Sequence, residues 1–144
     1  MNNASHKGFT LVELIVVLVI IGVLAVSLVP RFFSAVGSSE YLYQDQLLNL
    51  LRRAQIQAMQ CTNCATPAVS LTTNSALIGT ANCDDAASAV CIAARDAVSF
   101  TPATTISFDN LGRPNCSAGT CTINVQGETT LNVCIESEGY IHPC

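Results

Sequence analysis

The chain has 144 residues, 50% of them hydrophobic and only 11% charged, with six Lys and Arg against ten Asp and Glu and a net charge of −4. A nucleic-acid surface needs clustered cations to displace counterions, so this balance argues against nucleic acid as the main partner. The hydrophobic excess is local, concentrated in residues 9–29, and the remainder has the size and composition of one globular domain rich in Ala, Ser, Thr and Asn.

Residues 1–8 are short and polar, with His6 and Lys7 before Gly8. Phe9 then opens an apolar run to Val29, interrupted mainly by Thr10, Glu13, Gly22 and Ser27. As a helix this run is long enough to cross a hydrocarbon core of about 30 Å. A general secretory signal places a small-residue cleavage site after its apolar region, whereas Leu28-Val29-Pro30-Arg31-Phe32 is bulky. The apolar segment is therefore expected to stay in the mature chain. Glu13 is its informative residue, because an acid inside a spanning helix costs at least roughly 2.5 kcal/mol and needs a partner, a function or access to the headgroups.

The string Lys7-Gly8-Phe9-Thr10-Leu11-Val12-Glu13-Leu14, followed by an aliphatic helix, resembles the class III leader of type IV prepilins and type II secretion pseudopilins. The resemblance implies cleavage after Gly8 by a prepilin peptidase and N-methylation of Phe9. It also implies that Glu13 neutralises the terminal amine of an adjacent subunit during filament assembly, so the partners are other pilins or minor pilins, the peptidase and the inner membrane. A carboxylate and an ammonium are each costly alone in lipid and offset much of that cost as a pair. Lys7 keeps the leader side cytoplasmic under the positive-inside rule, which places the rest of the chain in the periplasm before filament entry. Gly22 and Pro30 match the helix-kink positions of that family, and Pro30 removes a helical hydrogen bond.

Between residues 40 and 60, Leu47, Leu48, Leu51, Ala54, Ala58 and Met59 recur at helical spacing, while Gln44, Asp45, Asn49, Arg52, Arg53 and Gln57 take other faces. That pattern predicts an amphipathic helix docked on a core. Gly37-Ser38-Ser39 is poor helix material and marks a break or a curve, and the turn formers up to Pro67 end the helix. Asp45, Asn49, Arg52 and Arg53 read either as subunit contacts or as a solvated face.

Beyond Pro67 come short β-type runs at 68–72, 76–78, 98–101, 105–108, 121–126, 129–135 and 140–142, punctuated by Asn110-Leu-Gly112, Gln126-Gly127 and Ser137-Glu-Gly139. The predicted fold is α+β and type IV pilin-like, a long amino-terminal helix packed on an antiparallel sheet. Its divisions are a leader (1–8), a transmembrane and filament-core helix (9–30), an amphipathic helical half (31–61) and a periplasmic β domain (62–144). The stretch Ile106 to Pro114, the following hairpin and Gly139-Tyr-Ile141 resemble the carboxyl half of GspH/FimT-type pseudopilins.

Eight cysteines stand at 61, 64, 83, 91, 116, 121, 134 and 144. An even number in one small domain behind an export segment points to disulfides in an oxidising compartment. The spacing of Cys61 and Cys64 leaves zinc as the alternative. Four bridges permit roughly a hundred connectivities. Cys116 and Cys121 enclose a turn and are placed to face each other across a hairpin mouth, and Cys83 and Cys91 flank an Asp-rich loop that they would close. Cys61, Cys64, Cys134 and Cys144 are left to pair among themselves. Asp84 and Asp85, with Asp96 and Asp109, lack the alternating ligand spacing of a calcium loop. His142 reads as a strand or tail residue, and no nucleophile lies in a recognisable motif, so no enzyme, metal or cofactor is expected. The expected role is a minor pilin that supports pilus assembly or adhesion. The alternatives are a minor pseudopilin of type II secretion and a pilus-tip adhesin or DNA-binding module.

Overall fold

A computed structural model of the chain describes residues 9–33 (backbone alone from 26), 39–61, 67–117 and 119–144. They fall into two compact units, one up to residue 35 and one from residue 36 onward. Among the described residues the first contains one helix, α1 (Leu11–Phe33).

The second unit is α+β and antiparallel throughout. Helix α2 (Ser39–Gln60) is followed by β1 (Val69–Leu71), β2 (Ser75–Ile78), β3 (Ala89–Cys91), β4 (Ser99–Thr101), β5 (Thr104–Ile106), β6 (Cys121–Gln126), β7 (Thr130–Ile135) and β8 (Ile141–Pro143). The strands form two four-stranded sheets, in the orders β3-β2-β1-β5 and β4-β6-β7-β8. The division falls between β4 and β5, which are adjacent in sequence yet pair with β6 and β1 respectively. Pro102 stands at that point, and a residue without an N–H cannot extend the β4 ladder. Sequence runs predicted the antiparallel pairing but not this split, because three-residue strands carry no signal of which sheet they join.

Alternation places one face of most strands inside. Ile123 and Val125 of β6, Val133 and Ile135 of β7, Phe100 of β4, and Val69 and Leu71 of β1 are all buried. Helix α2 contacts β2, β3, β6, β7 and β8, and so touches both sheets. Its Leu47, Leu51, Ala54 and Ala58 are fully buried, which is the stripe read from helical spacing. Two positions depart from that reading. Met59 is 46% exposed, while Gln44 is 8% exposed. Gln44 is tolerated inside because its amide donates to Asn132 O at 2.8 Å, and a buried amide with a partner avoids most of the desolvation cost. Strand β3 was not read from sequence; it pairs with β2 through Val90 and Ala76.

Tyr43 joins α2 to the loop before β4. Its hydroxyl donates to Asp96 Oδ2 at 2.6 Å and accepts from the Ala93 N–H at 3.1 Å. Burial and then the bond to Asp96 push the phenol above its ordinary pKa.

Candidate functional site

Helix α1 has a defined start. Thr10 Oγ1 accepts the Glu13 N–H, and the Thr10 carbonyl accepts the Leu14 N–H, both at 3.3 Å. Thr10 is therefore the N-cap, and Thr10-Leu-Val-Glu13 has the residue pattern of a capping box. Glu13 lies in the first turn, where a carboxylate favours the positive end of the helix dipole. Its side chain is exposed. The large apolar residues from Phe9 to Leu24 are all exposed as well, from 48% at Val17 to 83% at Phe9. A helix apolar all round is a helix for lipid or for other helices. Among the described residues no helix is long and apolar enough to cross a membrane.

A family model described as the prokaryotic N-terminal methylation motif matches residues 3–29. This chain carries that motif. No curated protein and no solved structure matches the chain. Within the methylation motif, Gly8 lies outside the described residues, Phe9 immediately precedes the N-cap, and Glu13 sits in the first helical turn. Gly22 lies inside the motif and the helix, and a Cβ built there would meet no atom within 4 Å. Pro30 lies just past the motif, and α1 is helical on both sides of it.

The cysteines belong to the second unit. Cys83 is bonded to Cys91, Cys116 to Cys121 and Cys134 to Cys144, with Cα separations of 5.7, 5.5 and 5.8 Å. Cys61 is also disulfide-bonded, and Cys64 lies outside the described residues. Cys134–Cys144 resolves a choice that spacing left open, because β7 and β8 pair with Cys134 opposite His142 and the chain end then turns back to β7 through the bond from Cys144 N–H to Asn132 O.

The acids singled out from sequence are dispersed. Asp96 accepts from Tyr43 and sits 3.6 Å from Arg95. Asp109 accepts from the Arg113 and Leu111 amides and from Arg113 Nε. Hydrogen bonds from Arg113, its backbone amide first, hold the Asp109 carboxyl below its ordinary range. Asp84 and Asp85 belong to an exposed turn capped by their own neighbours, with Asn82 Oδ1 accepting the Asp84 N–H and Asp85 Oδ1 accepting the Ala87 N–H. On the outer face of α2, Asp45 and Asn49 are exposed. Arg52 donates to Ile141 O at 3.1 Å, and Arg53 donates to Ala87 O. The two arginines tie the helix to β8 of one sheet and to the segment before β3 of the other.

Two polar centres had no sequence signal. Gln55 Nε2 donates to Gly112 O at 2.8 Å and to Gly139 O at 2.7 Å, clasping two turns that lie far apart in the chain. Glu40, only 1% exposed, accepts from the Thr129 amide and hydroxyl at 3.3 and 2.9 Å. Its own backbone amide, and then Thr129, hold its carboxyl below the ordinary value. The Thr10 cap was likewise not read from sequence, although Thr10-x-x-Glu13 has the pattern that could have found it.

Proposed function

We propose that this chain is a minor type IV pilin. It is held in the inner membrane by the apolar segment 9–30, cut after Gly8 by prepilin peptidase, methylated on Phe9 and built into a pilus, of the mannose-sensitive haemagglutinin kind, where it supports assembly or adhesion. The methylation motif over residues 3–29 carries the reading. It is supported by the uncovered apolar surface of α1, which suits lipid first and the helices of other subunits afterwards. The open surface at Gly22 suits close approach by a neighbouring helix. Glu13 is the residue that pairs with a neighbour's terminal amine. The disulfide-bonded unit is the periplasmic and later surface part, and its eight cysteines with their Ser-, Thr- and Asn-rich loops suit a surface-exposed pilus better than a secretion filament. The role is structural rather than enzymatic.

Mass spectrometry of the protein isolated from membranes is expected to show loss of residues 1–8 and a methylated Phe9 terminus. An intact Met1 terminus would overturn the reading.

A further inference from the structure

Arg52, Gln55, Ile56, Gly139, Tyr140 and Ile141 line a cleft of about 280 Å³ between α2 and the start of β8. Its most unusual wall is Tyr140. The residue is 66% exposed, yet its ring is stacked on His142, with centroids 4.8 Å apart and an interplanar angle of 21°. His142 is in turn held by Glu136 Oε1 at 3.1 Å and the Pro143 carbonyl at 2.8 Å. One ring face is thus occupied while much of the residue remains open to solvent. An aromatic ring gains most when covered, and stacking on His142 already favours one orientation of this ring.

The rest of the cleft is equally set. Gln55 spends its amide on Gly112 O and Gly139 O. Gly139 has φ +90°, and a Cβ there would collide with the Gly112 carbonyl, so the wall beside Tyr140 is a close backbone contact. The Cys134–Cys144 bridge anchors the far end of β8. Arg52 is the one cation lining the cleft. Among the described residues its only hydrogen-bond acceptor is Ile141 O, and no carboxylate pairs with it, whereas Arg95 and Arg113 each have an acid. A guanidinium carries five N–H donors and matches a carboxylate in bidentate fashion.

We propose that this cleft binds a pyranose ring bearing a carboxylate, with the apolar face of the sugar on Tyr140 and its acid on Arg52. Glu138, exposed in the turn that precedes Tyr140, opposes a densely charged chain, so one acid per ring suits the site better than a nucleic-acid backbone. The proposal supplies a ligand for the adhesion part of the reading above. It concerns the isolated chain, so failed filament incorporation leaves it standing and failed sugar binding leaves the processing result standing.

The test uses the full chain in detergent micelles, titrated with a tetrasaccharide of alternating glucuronate and N-acetylglucosamine and with a neutral glucose tetrasaccharide. Saturation transfer to the sugar C–H protons, a shift of the Tyr140 ring resonances and about tenfold tighter binding of the acidic sugar are expected. Tyr140→Ala is expected to abolish transfer, Tyr140→Phe to keep it, and Arg52→Gln to make the two sugars bind alike. The ring shift is read on the unsubstituted protein and does not depend on the variants folding. No transfer at about 10 mM sugar, equal affinity for the two sugars, a silent Tyr140 resonance, or displacement of the sugar by a single-stranded oligonucleotide would each overturn the proposal.

Discussion

Glu136 and His142 form the contact whose chemistry changes with pH. The imidazole is pushed above its ordinary 6.5, by the Glu136 bond first and then the Pro143 carbonyl. Glu136 is held below 4.5, by His142 first and then by the Thr120 hydroxyl. A raised histidine stabilises the fold fully below its unfolded value and loses that contribution as pH rises through the folded one. A lowered carboxylate contributes above its unfolded value and loses it as pH falls through the folded one. The pair therefore contributes most between about pH 4.5 and 6.5. Both side chains are partly exposed, so salt weakens the effect. NMR titration should place the His142 midpoint above 6.5, falling toward the ordinary value in Glu136→Gln; a midpoint unmoved by that substitution would show that the contact carries no charge pairing. Sequence placed His142 in a strand or tail but not its partner, because Glu136 meets it only across the turn that returns β7 to β8.

At the scale of elements, the two helices differ in how far their patterns reach. The apolar run of α1 is local, so its surface and its one acid were legible from residues 9–29 alone. If Glu13 serves assembly rather than folding, Glu13→Val keeps membrane insertion, since it removes a penalty of at least roughly 2.5 kcal/mol from the apolar segment, but it blocks filament incorporation. Fractionating membranes and sheared filaments from cells expressing the variant checks both halves of this outcome, and normal incorporation would remove the pairing role. Helix α2 was legible along Leu47, Leu51, Ala54 and Ala58. Its buried arc is wider than that stripe, with Tyr43, Gln44 and Leu50 also inside, because it touches two sheets rather than one. Gln44 reads as surface in any one-face pattern until Asn132 supplies its acceptor.

For the whole molecule, stability depends on contacts between distant segments. The bridge from Cys134 to Cys144 closes a loop with a sequence separation of 10 and fastens the last strand to β7. Replacing both cysteines by Ser is expected to cost about 2–3 kcal/mol, seen in denaturant unfolding of the otherwise oxidised protein, with faster amide exchange in β8 than in β6. An unchanged unfolding midpoint would show that pairing and the Glu136–His142 contact hold β8 without the bridge. The sequence by itself determined the methylation motif, the apolar character of α1 and the α+β antiparallel class, since each is written in contiguous residues or in a short period. Only the tertiary structure decided the split into two sheets, the partner of Cys134, the Gln55 clasp and the stacked, exposed ring of Tyr140. Each of these joins residues whose separation along the chain carries no periodic signal, so their meeting depends on how α2 and both sheets pack.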